Sequence, residues 1–273
     1  MHTNELKGIF NATGANIHFE SKGNGENLLL IHAGIADSRM WDKEFHLLSE
    51  KYRVIRFDLP GFGLSYFTEG NYSYNKIINE LLTYLDITQT HILAASFGGK
   101  IAIDFHLENT EKCLSLALLS PALGGWNDST FLQKYEEKEE RLLKEGKIEE
   151  TAQYNYMTWI QRNRTPELMN PDVKQLIIDM QINILTKPEP NFSSKEIEAK
   201  DNILKIKNIQ IPVLIINGKC DVPDFLDISE LMIKEIPNVK NIIIPNTAHL
   251  ANLESPRLFI KLISEFFANN SNN

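Results

Sequence analysis

The stretch Thr90-His91-Ile92-Leu93-Ala94-Ala95-Ser96-Phe97-Gly98-Gly99-Lys100 decides how the rest of the chain is read. Residues 92–95 are apolar without alternation, the pattern of a strand buried on both faces. Helical spacing begins directly after Gly99 and runs to Leu107. Little is left between them, so the sequence predicts a strand, a tight turn and a helix in immediate succession. A serine on such a turn is presented at the carboxyl end of the strand. The helix amino end beside it carries unpaired N–H groups and the positive end of a dipole. Small flanking residues, Ala94 and Gly98, suit a strained turn pressed against neighbouring backbone. Ser96 could equally be an ordinary helix-capping serine, so its meaning depends on residues further out.

On the amino side, residues 8–25 alternate weakly and predict an antiparallel hairpin, and residues 28–31 predict a second buried strand. A helix is expected over residues 40–50, with Trp41, Phe45 and Leu48 on one side. Residues 52–57 predict a strand that ends in the glycine-rich turn Asp58-Leu59-Pro60-Gly61-Phe62-Gly63-Leu64-Ser65. Tyr74, Ile77, Ile78, Leu81, Leu82 and Leu85 then recur at helical spacing. On the carboxyl side, strands are expected at residues 114–119, 213–216 and 241–244, with helices near residues 227–235 and 259–267. Strand and helix in alternation imply a parallel sheet covered on both faces. From Gly124 to about Asp201 the pattern turns helical and strongly charged, broken by Pro166, Pro171, Pro188 and Pro190. That segment reads as an insertion into one sheet.

The chain length of 273 residues suits one large α/β domain carrying such an insertion. A net charge of −8 and the absence of basic stripes argue against a nucleic-acid partner. Residues 1–5 show neither a basic start nor an apolar run, so no signal peptide or membrane anchor is expected and the location expected is cytoplasmic. Cys113 and Cys220 show no metal spacing and are expected to be free thiols. There is no Walker loop, no Cys-x-x-Cys and no His-x-x-x-His, and Gly61-x-Gly63 meets Tyr66 where a dinucleotide fingerprint needs a third glycine. No cofactor and no metal are therefore expected. The partner expected is a small-molecule substrate, and the oligomeric state is open.

In open parallel sheets, functional groups gather outside the carboxyl ends of the strands. His32-Ala33-Gly34 comes after the strand at 28–31, Ser96 after 92–95, and Asn217-Gly218-Lys219-Cys220-Asp221 after 213–216. Asn246-Thr247-Ala248-His249 comes after 241–244. A serine, an aspartate and a histidine thus fall on one rim, in that chain order. With these motifs, and with the turn at residues 58–65, the chain resembles the α/β-hydrolase family over nearly its whole length outside the insertion. It departs in having Ala33 where the family usually has glycine after the histidine.

The resemblance implies an eight-stranded, mostly parallel sheet with helices on both faces. The core would be residues 1–123 and 202–273, and residues 124–201 a helical cap inserted after the sixth strand. Trp126, Phe131, Tyr154, Met157 and Trp159 become candidate pocket walls, although each could as well only pack cap against core. A serine hydroxyl needs a base, for which His249 is the candidate, and Asp221 would fix the imidazole tautomer. Asp224 competes with Asp221 but sits beside Pro223, where it could cap the next helix. Backbone N–H groups of Phe97 and Gly34 would hold the oxyanion, each such donor typically worth roughly 3 kcal/mol. His32 is expected to brace its loop.

The function expected is a cofactor-independent serine hydrolase of small, largely apolar carboxylic esters, with lactones and thioesters equally compatible. Serine rather than aspartate at position 96 sets aside the dehalogenase and epoxide-hydrolase branches of the resemblance. Two alternatives stay open: a carbon-carbon bond hydrolase of ring-cleavage-type diketones, and a slow or non-catalytic small-molecule receptor on the same fold.

Overall fold

A computed structural model of the protein describes residues 5–188, 195–199 and 202–271. The chain opens with the predicted hairpin, β1 (Glu5–Ala12) and β2 (Ala15–Lys22), in antiparallel register. Gly14 turns it with φ +76°, where a Cβ would lie 2.8 Å from Tyr72. Next come β3 (Asn27–Ile31), α1 (Asp42–Leu48), β4 (Arg53–Phe57) and the two-residue β5 (Tyr66–Phe67). They are followed by α2 (Tyr74–Tyr84), β6 (Thr90–Ala95), α3 (Phe97–Glu108) and β7 (Cys113–Leu119).

Three long helices then intervene: α4 (Thr130–Lys144), α5 (Ile148–Tyr156) and α6 (Pro171–Leu185). The sheet resumes with β8 (Val213–Gly218), α7 (Pro223–Glu235) and β9 (Val239–Ile244), and the chain closes with α8 (Ala251–Glu254) and α9 (Pro256–Ala268). Residues 189–194 and 200–201, near the expected end of the insertion, lie outside the described residues.

The sheet runs β1-β2-β4-β3-β6-β7-β8-β9, with β5 paired to β2 off that path. From β4 to β9 along the path all pairings are parallel, and β2 joins antiparallel. The eight expected strands are all present. β5 is the addition, and two residues are too few to produce a readable period. The helical segment enters after β7, the sixth strand of the main path.

Apolar packing on both faces accounts for the unalternating strands. Leu28, Leu30, Leu93 and Ala95 face one cluster with Trp41 and Phe45 near α1 and Phe259 and Phe267 of α9. Leu29, Ile31, Ile92 and Ala94 face another with Ile77 and Leu81 of α2 and Phe105 of α3. Every residue of β6 is buried. Its two polar residues keep partners: Thr90 Oγ1 donates to the His91 carbonyl at 2.7 Å and His91 Nδ1 pairs with Ser115 Oγ at 2.7 Å. Cys113 and Cys220 are free.

Candidate active site

Ser96 stands between β6 and α3 at φ +51° and ψ −117°. A non-glycine residue there is strained, and such strain persists only where the surroundings over-determine it. Three backbone bonds do so. Ser96 N–H donates to the Leu119 carbonyl of β7 at 2.9 Å, and the Ser96 carbonyl accepts from Ala122 at 3.0 Å and from Lys100 at 3.1 Å. The need for glycine two residues on is steric, because a Cβ on Gly98 would come within 2.4 Å of the His32 carbonyl oxygen and 2.7 Å of that of Ile31. Ser96 makes no side-chain bond to the helix it precedes, so the turn is not an ordinary serine cap. Its side chain is left for other work.

A second close approach brings in the other two residues. A Cβ on Gly218, at the end of β8, would lie 2.1 Å from the Ala248 carbonyl oxygen. The loop after β8 can therefore lie flat against the loop after β9, and Cys220 N–H donates to the Thr247 carbonyl at 2.8 Å. Across this contact His249 Nδ1 meets Asp221 Oδ1 at 2.8 Å, with both side chains buried. The same Oδ1 accepts the Val222 N–H at 2.7 Å. A carboxylate on Nδ1 holds the proton there and leaves Nε2 as the basic atom. Asp224 is occupied elsewhere: it accepts from Ser129 N–H at 2.9 Å, Ser129 Oγ at 2.6 Å and Trp126 Nε1 at 3.3 Å. It ties the start of the helical segment to α7 and does not serve as the helix cap, a position held by Val222.

On the facing loop, Gly34 lies against the first turn of α3, where a Cβ would be 3.4 Å from that of Phe97. Among the described residues, neither N–H of this pair has a backbone acceptor. His32 braces the loop. Its Nδ1 is 2.9 Å from the Ala33 carbonyl and its Nε2 accepts the Leu59 N–H at 2.9 Å. That pattern needs a neutral ring, and burial pushes its pKa down despite the nearby Asp58 carboxylate. Asp58 accepts from the N–H groups of Ser38 at 2.9 Å and Leu64 at 2.8 Å. Burial works against its charge, yet the contact with His18 Nδ1 at 3.2 Å and these N–H donors hold its carboxyl far below the usual range.

The helical segment reaches this rim through Trp159. Its ring lies 4.8 Å from that of His249, and its carbonyl accepts the His249 N–H at 3.2 Å. Trp159 belongs to a π-helical turn, Met157–Gln161, a form often found at functional sites. The other four aromatic or apolar candidates lie elsewhere. Trp126 bonds Asp224, Phe131 is exposed beneath the Arg162 guanidinium, and Tyr154 stacks on Tyr135 beneath Lys138. Phe131, Tyr154 and exposed Met157 border a groove of about 390 Å³ whose lining includes none of Ser96, Asp221 and His249. Helical periodicity gave which residues were apolar but not which way the segment turned.

The sequence model described as alpha/beta hydrolase fold matches residues 26–256. The chain belongs to the α/β-hydrolase fold family. It is similar to the pimeloyl-[acyl-carrier protein] methyl ester esterase of Nitrosomonas europaea, at 23% identity over 90% of this chain and 97% of that protein. It is also similar to the 2-hydroxy-6-oxononadienedioate/2-hydroxy-6-oxononatrienedioate hydrolase of Cupriavidus pinatubonensis, at 25% identity over 93% of this chain and 91% of that one. Among solved structures, a thermophilic esterase from Thermogutta terrifontis superimposes with a TM-score of 0.78 at 22% identity, covering 97% and 100% of the two chains.

Around the buried imidazole this α/β hydrolase has partners that sequence reasoning missed. The Phe225 ring meets that of His249 at 4.4 Å, edge to face, and Arg162 Nε donates to the Cys220 carbonyl at 3.2 Å. An aromatic two residues after Pro223, at the start of a helix following the acid loop, was the available signal for Phe225. For Arg162 there was none, because its contact spans 58 positions. No helix among the described residues is long and apolar enough to cross a membrane.

Proposed function

We propose that this protein is a serine hydrolase of small, largely apolar carboxylic esters, acting through Ser96, His249 and Asp221. One observation carries the reading: a serine held at φ +51° on the turn between β6 and α3, with a buried His249–Asp221 pair on the same rim of the sheet. Ser96 Oγ attacks the carbonyl carbon while His249 Nε2 takes its proton. Charge then develops on the carbonyl oxygen, and the N–H groups of Phe97 and Gly34 are the donors on hand to hold it. The imidazolium, stabilised by Asp221, returns its proton to the departing alcohol. Water repeats the sequence on the acyl-enzyme and frees the acid. The rings of Trp159 and Phe225 make the surroundings of the imidazole apolar, which favours an apolar acyl or alkyl group. In this reading residues 124–201 act as a cap that sets substrate choice.

A fluorophosphonate probe should label Ser96, and short-chain chromogenic esters should turn over, with both lost in Ser96→Ala. Labelling that persists in Ser96→Ala, or an intact chain that neither labels nor hydrolyses any of a panel of esters, lactones and thioesters, would sink the proposal. Carbon-carbon bond hydrolysis is the second reading, supported by the similarity to the Cupriavidus pinatubonensis hydrolase. A ring-cleavage-type diketone belongs in the same panel, and preference for it over every ester would transfer the assignment.

A further inference from the structure

Arg164 lies just beyond the π-helical turn, and its guanidinium donates to three backbone carbonyls. Nε donates to the Gln161 carbonyl at 3.2 Å, Nη2 to that of Ile160, and Nη1 to that of Asn246 at 2.6 Å. Nη1 also meets Glu254 Oε2 at 2.5 Å. The second oxygen of Glu254, Oε1, accepts the Ala248 N–H at 2.7 Å. Two side chains, 14% and 12% exposed, therefore grip both ends of residues 246–248, immediately before His249. Arg164 grips at the same time the two residues that come after Trp159, whose ring covers the imidazole.

We propose that Arg164 and Glu254 are positioning residues that set the His249 ring between Asp221 and Trp159. The inference rests on the reading of His249 as the base. Among the described residues that ring has one side-chain hydrogen bond, to Asp221, so where Nε2 points is decided by the backbone that carries it. This backbone needs outside support, since Asn246 takes φ +58° and the loop before His249 belongs to no strand or helix. Misplacement of a reacting group by about 1 Å can cost roughly a hundredfold in rate. The clamp also borders a cavity of about 470 Å³ lined by Tyr156, Ile160, Val173 and Asn246 among others. The ions thus keep some access to water, although burial still raises the Glu254 carboxyl against the opposing pull of Arg164 and the Ala248 N–H.

The test is steady-state ester hydrolysis by the full chain and its variants, with rates expressed per Ser96 titrated by the fluorophosphonate probe and melting temperatures recorded alongside. Glu254→Ala should lose roughly ten- to a hundredfold in kcat with little change in KM. Glu254→Gln, which keeps an oxygen for the Ala248 N–H, should recover most of that loss. Arg164→Met frees the carbonyls on both sides of the clamp and should move kcat and KM together. The proposal is overturned if Glu254→Ala keeps the wild-type kcat per titrated site, or if its activity falls only in step with the titratable fraction. Should Glu254→Ala fail to fold, Arg164→Met with unchanged kcat per titrated site overturns it. Ser96→Ala is the control on the underlying reading: wild-type turnover in that variant defeats the function itself, whatever Glu254 does.

Discussion

The turns at the carboxyl rim of the sheet and the helical segment between β7 and β8 meet at the same imidazole, but they are held by different forces. At the rim, position is set by backbone against backbone: Gly98 beside the carbonyls of Ile31 and His32, Gly218 beside those of Thr247 and Ala248, and Ser96 bonded to Leu119 and Ala122. The helical segment is attached mainly by side chains, beside a few backbone bonds such as that from His249 N–H to the Trp159 carbonyl. Ser129 and Trp126 reach Asp224, Arg162 reaches Cys220, Arg164 reaches Asn246 and Glu254, and Trp159 lies on His249. Backbone contacts at van der Waals limits leave almost no freedom for change. Side-chain contacts can be exchanged singly, which suits the cap role proposed for this segment.

If that contrast holds, damage at the rim should be severe and damage at the segment graded. Asp221→Asn should lower kcat by about 10⁴-fold, because an amide no longer selects the Nδ1–H tautomer; ester turnover at saturating substrate checks this. Gly218→Ala should cost about 3 kcal/mol or more in urea unfolding, since a Cβ there meets two backbone carbonyls that cannot yield. Ser129→Ala should cost only about 1 kcal/mol by the same measurement, through the lost α4 cap and the lost bond to Asp224. A larger loss from Ser129→Ala than from Gly218→Ala would reverse the contrast.

The core beneath the rim offers a pH-dependent comparison. Burial raises the Glu44 carboxyl to about 8, against the weaker opposing effects of its own backbone N–H, Lys43 and Asn252. A carboxyl whose folded pKa lies above its unfolded one is most stabilising below the unfolded value. Its contribution is lost as pH rises from about 4.5 through about 8, by roughly 1.4 kcal/mol per pH unit at most. Glu44→Gln should flatten this decline and raise the urea midpoint at pH 8 relative to pH 5. An unchanged slope would show that Glu44 ionises without penalty.

Much of the site is legible in the few residues after each apolar run, because a buried strand has few allowed compositions and its end is marked by glycine or, before His249, by proline. Ser96, Asp221, His249, Gly34 and Phe97 all stand at such positions. Spacing favours Asp221 over Asp224, and the structure adds the physical reason, since only one carboxylate faces the imidazole. Periodicity on α4 and α5 marks amphipathic helices but cannot orient them, so the groove that Phe131, Tyr154 and Met157 border is found only in the structure.

The order of strands and helices, the strained serine turn and the identities of the three polar residues on the rim were determined by the sequence alone. Each depends on interactions between near neighbours: period, size and φ. Which side chain of the helical segment covers His249, how Asp224 is used, and that Arg164 and Glu254 share the loop before the histidine were decided only by tertiary structure. The contacts of the helical segment with Asp224, Asn246 and His249 join residues 82 to 98 positions apart, and no local pattern encodes a distance of that kind.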